Sequence, residues 1–318
     1  MGRLFNERLN VMEIVTSLQN YNPVPCAATI GSFDGVHLGH SAMLGELRSR
    51  AAAQGLPVMV ITFRRHPRLL FNSDSAPFLL CEGSAKETML SLAGVDILVQ
   101  LDFDAAMASL SAFGFMKEIL SSALGVKMLA VGYDHHFGKP CEGEGLENYQ
   151  AYGREVGIEV FETSPFVLDG VNVSSSVVRR LLEQGDVISA AKFLGRNYSL
   201  CGNVVHCAGI GRTIGFPTAN IELGEPMQML PLNGVYEVAV AALGETYKGV
   251  MNIGVKPTVS DAGIRTIEVF IIGFSGDIYG QRVCVELVRR LRDERTFSSL
   301  SALRLQIETD VARVKLGI

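Results

Sequence analysis

The segment Gly31-Ser32-Phe33-Asp34-Gly35-Val36-His37-Leu38-Gly39-His40 follows a short apolar run and leads into a helical pattern. It sets two imidazoles, His37 and His40, three residues apart at the start of a helix. Free N–H groups and the positive end of the helix dipole favour an anion there. Imidazole N–H donors at that place suit a polyphosphate, because they would stabilise charge developing on a pentavalent phosphorus and on departing pyrophosphate. Two plainer readings stay open. One is a pair of structural histidines. The other is a zinc pair, disfavoured because no Cys or carboxylate stands at ligand spacing.

Two further segments carry chemistry. Ser174-Ser175-Ser176-Val177-Val178-Arg179 also enters a helical pattern. Hydroxyls and a guanidinium at a helix start suit phosphate, with Arg179 able to bind bidentately, although taken by itself this segment is better explained as a serine-rich cap beside a surface arginine. The string Gly209-Ile210-Gly211-Arg212-Thr213-Ile214-Gly215-Phe216-Pro217-Thr218-Ala219-Asn220 is the most specific in the chain. Gly209, Gly211 and Gly215 let backbone N–H groups approach phosphate closely. Pro217 stiffens the exit, so that Thr218 and Asn220, two apart on an extended chain, point the same way. A Thr hydroxyl and an Asn carbonyl are hard oxygen ligands of the kind Mg²⁺ accepts. This is no Walker loop, and glycine spacing alone also fits an ordinary glycine-rich hairpin.

The elements that must position these groups fall into two kinds. Up to about Ser175, apolar runs (AATIGSF, PVMVITF, VDILVQL, VKMLAVGY) alternate with helical patterns (SAMLGELRSRAAAQG closed by Gly55, KETMLSLAG, and roughly 109–124). Such alternation predicts a parallel sheet with helices on its faces. SSVVRRLLEQG and DVISAAKFLG then read as helices, the second with Asp186 as N-cap and Gly195 at its end. From Tyr198 the chain becomes strand-rich (SLCGNVVHC, GVYEVAVAAL, YKGVMNIG, RTIEVFIIGF, RVCVELVRRL), which predicts an antiparallel barrel or sandwich. A closing helix over 298–315 carries Leu300, Leu303, Ile307, Val311 and Val314 on one face. The two domains are placed at 1–185 and 186–318.

At 318 residues, 48% hydrophobic and 19% charged, the chain is long enough for two packed cores. Its 28 basic and 33 acidic residues, net −5, argue against a nucleic-acid binder but allow local basic pockets for phosphorylated ligands. No apolar run reaches membrane-spanning length and no signal peptide is evident, so a cytoplasmic enzyme with no membrane partner, monomeric or weakly self-associating, is expected. Six scattered cysteines without a C-x-x-C pair are expected to be free, mostly buried thiols. With no Trp, any flat aromatic ligand must stack on Phe, Tyr or aliphatic groups.

The order strand, H-x-G-H, βα units, S-S-S-x-x-R resembles the nucleotidyltransferase superfamily. More closely, GSFDGVHLGH, TFRRHPRLLF, VGYDHHFGK and SSSVVRRLLEQGDVISAAKFLGR resemble the N-terminal module of bacterial bifunctional riboflavin kinase/FAD synthetases. GFPTANIEL, LPLNGVYEVAV, GVMNIGVKPTV, TIEVFIIGF and DIYGQRVCVELVRRLRDERTF are similar to the riboflavin kinase domain of that family. The resemblance implies a Rossmann-like nucleotidyltransferase domain followed by a six-stranded antiparallel barrel with a C-terminal helix. It implies ATP and Mg²⁺ as cofactors, riboflavin and FMN as substrates and FAD as product. It assigns the ATP phosphates to His37, His40, Ser175, Ser176 and Arg179, with Gly31, Phe33, Asp34 and Gly39 in the same loop. Asp134 and Phe137 would line the nucleotide and flavin pocket, and His66 and Pro67 would lie near it. In the barrel it assigns Mg-ATP to Thr218 and Asn220, the general-base role to Glu268, and the border of the flavin site to Arg292, Glu294 and Phe297. Ser32, Lys256, Val259 and Phe270 depart from residues common in the family, which touches the shape of the pockets.

Overall fold

The computed structural model describes residues 12–64, 79–132, 137–138, 143–206, 211, 214–224, 228–255 and 265–318. The chain divides into two compact units, Met1–Pro77 with Gly83–Val173, and Phe78–Glu82 with Ser174–Ile318.

In the first unit six strands form one parallel sheet: β1 (Glu13–Val15), β2 (Cys26–Ile30), β3 (Val58–Phe63), β4 (Ile97–Leu101), β5 (Val126–Gly132) and β6 (Glu159–Thr163), in the order β1-β4-β3-β2-β5-β6. Every residue of β2 is buried, and all of β3 except Phe63. Helices on both faces demand such unbroken apolar runs, so these strands lack the alternation of a half-exposed sheet. From β2 the chain moves outward through β3 and β4, then returns to the other side of β2 for β5. The switch point therefore lies between β2 and β5, and in open sheets of this kind ligands bind outside the carboxyl ends of the strands at that crevice.

Helix α1 (Leu38–Gln54) ends at Gly55, whose φ of 66° supplies the left-handed turn that releases the chain into β3. Helix α2 (Gly83–Leu92) connects β3 to β4. The helix expected over 109–124 is divided: α3 (Ala105–Ser109) is capped by Asp104, and α4 (Ala112–Phe115) starts afresh after Ser111, whose hydroxyl accepts from Gly114 N–H, and runs on as a π-helical stretch, Met116–Ala123. Helix α5 (Leu146–Val156) and strand β6 were not read from the sequence, nor was the short antiparallel pair β7 (Val167–Leu168) and β8 (Val171–Asn172) that follows.

The second unit opens with α6 (Ser175–Glu183) and α7 (Val187–Leu194), the latter capped by Asp186 and closed by Gly195. Six strands follow: β9 (Tyr198–Val205), β10 (Ala219–Leu223), β11 (Gly234–Ala242), β12 (Glu245–Val255), β13 (Arg265–Ile271) and β14 (Arg282–Arg292). They close an antiparallel barrel in the order β10-β13-β12-β11-β14-β9, which resolves the choice between barrel and sandwich. Between β11 and β12 the turn residues Leu243 and Gly244 have φ of 51° and 84°, the left-handed pair that suits a two-residue hairpin. Residues of the excursion at 79–82 join this unit through bonds such as Met229 N–H to the Leu79 carbonyl at 2.8 Å.

Two expectations are corrected here. Cys201 and Cys284 form a disulfide rather than two free thiols. They face each other directly across β9 and β14 with Cα atoms 4.2 Å apart, a register that brings both side chains to one face. Cys26 and Cys81 are buried and outside any disulfide, and burial pushes the Cys26 thiol up to about 12; Cys141 and Cys207 lie outside the described residues. The closing helix α8 (Leu300–Leu316) does bury Val311 and Val314 against the barrel, but Leu300 is exposed. Besides Val314, α8 buries Asp310 completely; its carboxylate accepts from Arg292 Nε at 2.9 Å and Nη2 at 2.8 Å, and from Gln306. Removing one partner of such a pair leaves an uncompensated buried charge. Asp310→Ala is therefore expected to destabilise the barrel unit by about 3–5 kcal/mol in denaturant unfolding, more than replacing both Asp310 and Arg292 by apolar residues.

Candidate active sites

The first site is built at the carboxyl end of β2. There the chain passes through Phe33 (φ 48°), Gly35 (φ 78°) and Val36 (φ 35°) before α1 begins. Left-handed geometry at two bulky residues stores strain that the surrounding burial must hold in place: Phe33, Asp34, Val36 and His37 are all buried. His37 is the N-cap of α1, and its Nδ1 accepts the His40 backbone N–H at 3.3 Å. That bond fixes the tautomer, since an accepting Nδ1 leaves the ring proton on Nε2 as a donor. The His37 and His40 rings stack with centroids 3.7 Å apart, and Phe33 lies 4.8 Å from His40 on a tilted contact. Gly31 precedes this loop directly after β2.

Gly39 is dictated by close approach. A Cβ there would meet the Val173 carbonyl at 2.9 Å and the His37 ring at 3.1 Å. Gly39→Val is expected to displace the His37 ring and to lower the reaction served by this loop about a hundredfold, while chemistry on the second unit continues; parallel assays of the two units' reactions check this.

Phe137 is buried in the core of the first unit, stacked on Tyr149 at 4.5 Å. Asp134, His66 and Pro67 lie outside the described residues. Ser174 caps α6, its hydroxyl accepting from Val177 N–H at 3.4 Å, so Ser175 and Ser176 form the first turn and Arg179 follows one turn on, half-buried. All three belong to the second unit.

The second site lies on the barrel. Gly209 and Arg212 are outside the described residues. At Gly211 a Cβ would collide with the Phe216 carbonyl; the turn closes by Phe216 N–H donating to the Gly211 carbonyl at 2.8 Å, across Gly215. The Thr218 hydroxyl stands beside Gly211, after Pro217 has turned the chain toward β10. Strand register then assembles residues far apart in sequence. Asn220 on β10 is directly opposite Glu268 on β13, Glu268 is opposite Asn252 on β12, Asn252 is opposite Val235 on β11, and Val235 is opposite Arg292 on β14. Opposed residues present side chains to the same face. Neighbours two residues along on this face, Val250 and Phe270, pack with Val235, Phe216 and the helix residues Val311 and Val314. The row therefore sits on the face that α8 covers, while the flanking Ile267 and Val269 turn to the opposite, fully buried face.

Glu268 is thus half-buried among polar neighbours on a mostly apolar surface. Arg292 is in the row, but its guanidinium is engaged by Asp310 and the Asp293 carbonyl, with the Phe297 ring 5.9 Å away. A Cβ at Gly254 would collide with the Glu294 carboxylate, which places Glu294 beside Asn252. Asn252 was not singled out from the sequence. Its signal was present, as a lone amide in the apolar run Val250-Met251-Asn252-Ile253.

A parallel sheet with paired imidazoles beside its switch point, followed by a closed barrel bearing a carboxylate–amide row, defines a nucleotide-dependent transferase of two modules. The family model described as FAD synthetase matches residues 19–177, and that described as riboflavin kinase matches residues 194–316. The bifunctional riboflavin kinase/FMN adenylyltransferase of Pseudomonas fluorescens is 40% identical, over 96% of this chain and 97% of its own length. The protein of the same description from Escherichia coli K12 is 41% identical over 94% and 96%, and that from Bacillus subtilis 34% identical over 88% and 89%. A crystal structure described as a macrolide-efflux protein from Streptococcus pneumoniae has a TM-score of 0.85 at 28% identity, covering 96% of this chain and 99% of its own. The chain belongs to the bifunctional riboflavin kinase/FMN adenylyltransferase family, with the FAD synthetase domain N-terminal and the riboflavin kinase domain C-terminal. Among the described residues no helix is long and apolar enough to cross a membrane.

Proposed function

We propose that the chain makes FAD from riboflavin in two ATP-consuming steps, and that the residues placed above carry them. In the barrel, Glu268 acts as general base. It takes the proton of the ribityl 5′-hydroxyl as that oxygen attacks the γ-phosphorus of ATP and ADP departs. A primary alcohol is a weak nucleophile at neutral pH, so a positioned carboxylate is needed. The observation that carries this assignment is the register that opposes Glu268 to Asn220, because it sets the base beside the strand that carries the Thr218 and Asn220 oxygens. The Thr218 hydroxyl and Asn220 amide carbonyl are hard oxygen donors that fit Mg²⁺, which when bound would neutralise charge on the ATP phosphates. Asn252, opposite Glu268 on the other side, supplies an amide that orients the carboxylate.

In the N-terminal module the FMN phosphate attacks the α-phosphorus of ATP and pyrophosphate leaves. The nucleophile is already an anion near neutral pH, so no base is required and catalysis is positioning and charge stabilisation. His37 presents its Nε2–H, and His40 stacks beside it at the start of α1, where the helix dipole adds to the donors. Ser175, Ser176 and Arg179 offer hydroxyls and a guanidinium at the start of α6, a phosphate-suited set within the second unit. The Phe137 ring anchors its loop to the core through Tyr149.

The test is a product chromatogram of purified protein with riboflavin, ATP and Mg²⁺. FMN together with FAD supports the reading. FMN alone would show an inactive first module, and unchanged riboflavin would show a flavin-binding protein without catalysis. Omitting Mg²⁺ is expected to stop phosphorylation.

A further inference from the structure

Strand register places a second row beside the one that carries Glu268. Val250 on β12 is directly opposite Phe270 on β13, two residues along from the pair Asn252 and Glu268. On the other side of β13, Asn220 is opposite Glu268 and Ala219 opposite Val269, so one further step brings Thr218 level with Phe270. Side chains two apart on a strand share a face. Phe270 therefore stands on the face that holds Glu268, level with one of the two residues assigned to the metal.

Strand β10 begins only at Ala219, so Thr218 precedes the ladder. Phe216 donates its N–H within its own turn, to the Gly211 carbonyl at 2.8 Å, and Pro217 has no N–H to give. A ring ties this stretch to β13 instead. Phe216 meets Phe270 edge to face, with centroids 5.1 Å apart and planes at 76°. Both rings are partly buried and pack with Val235, Val250, Val311 and Val314, on the face that α8 covers. An edge-to-face contact sets the positive edge of one ring on the negative face of the other, and so fixes an angle as well as a distance. Filling the core alone would need only volume, which an aliphatic side chain of similar size supplies. This pair instead joins the strand of the proton acceptor to the turn that delivers a metal ligand. Mg²⁺ demands near-ideal octahedral geometry and tolerates little displacement of its oxygens.

We infer that Phe270 is a positioning residue of riboflavin phosphorylation: through the Phe216 ring it fixes the turn from which Thr218 presents its hydroxyl, and so sets the metal-holding oxygens at a constant distance from Glu268. The inference rests on the function proposed above. No bond forms or breaks at the Phe270 ring, and its effect passes through Phe216.

The experiment compares full-length wild type with Phe270→Leu, Phe270→Tyr, Phe216→Leu and the double variant that carries both leucines. Riboflavin phosphorylation is measured with ATP, Mg²⁺ and riboflavin varied separately, and binding of Mg–ADP without turnover is followed by titration calorimetry. Phe270→Leu is expected to raise both KM for Mg–ATP and the Mg²⁺ concentration for half-maximal rate about tenfold. Mg–ADP should weaken about tenfold at one class of site, while KM for riboflavin stays within about threefold. Adenylylation of supplied FMN should be unchanged. Phe270→Tyr keeps the ring and should stay within about threefold of wild type in every reading. Phe216→Leu should reproduce Phe270→Leu, and the double variant should be no worse than either alone, because both break one contact. An unchanged Mg²⁺ requirement in Phe270→Leu overturns the inference. So does a double variant whose losses multiply. A Val250→Ala protein that loses as much Mg–ADP affinity as Phe270→Leu also overturns it, since packing of the whole face would then be the cause. If Phe270→Leu does not fold, Phe216→Leu decides by the same readings. Wild type that leaves riboflavin unphosphorylated would instead defeat the proposed function.

Discussion

Exchanging Glu268 for Gln is expected to lower riboflavin phosphorylation about 10³-fold, while supplied FMN is still converted to FAD at the wild-type rate. Glutamine keeps the shape of the side chain and its place opposite Asn220 and Asn252, so strand pairing is preserved and the missing element is the proton acceptor. General bases contribute roughly 10² to 10⁴, and the 5′-hydroxyl is far from ionised at neutral pH, which places the effect toward the upper part of that range. The loss should fall on kcat with little change in KM for riboflavin, because the group acts on the transition state rather than on binding. Steady-state rates with riboflavin, and separately with FMN, decide the matter. A variant that phosphorylates normally would remove Glu268 from the base role.

His40→Ala is expected to have the reciprocal effect, a fall of about 10² to 10³ in FAD formation with FMN accumulating from riboflavin. The magnitude follows from removing one preorganised donor aimed at developing phosphate charge. The truncation also removes the ring stacked 3.7 Å from His37, so the N-cap imidazole loses lateral support and part of the loss comes from its misplacement. His40→Asn, which keeps a donor without the ring, should recover part of the rate. The two reactions are measured on the same preparation. Loss of both in a folded protein would contradict the separation of sites, since His40 lies in the first compact unit and the barrel in the second.

Local patterns made much of this legible. The runs Cys26–Ile30 and Val58–Phe63 are buried on both faces and could only be central strands of a covered sheet. Gly55 and Gly195 end their helices because a left-handed residue is needed there, and Asp186 begins one because its carboxylate accepts a free N–H. His37, Gly39 and His40 are neighbours in the chain, so their spacing already described the geometry at the start of α1. The family resemblance supplied the number of barrel strands and the role of Glu268, which spacing alone did not.

What stayed hidden has a common cause. Helix Leu146–Val156 buries only Tyr149 and Gly153, which hold it against distant partners, while β1 has only three residues and pairs with β4 across most of the unit. The break before Ala112 arises from a single capping hydroxyl, Ser111, inside an otherwise helical pattern.

Residue types and short spacings by themselves determined the strand–helix alternation of the first unit, the paired imidazoles at a helix start and the hard-oxygen character of Thr218 and Asn220, because each depends on contacts within a few positions of chain. Only the closed barrel decided that Asn252 joins Asn220 and Glu268, that Cys201 meets Cys284, and that Asp310 is spent on Arg292. Those pairings depend on strand register and helix docking, which link residues separated by tens of positions and are set by how whole apolar faces fit together.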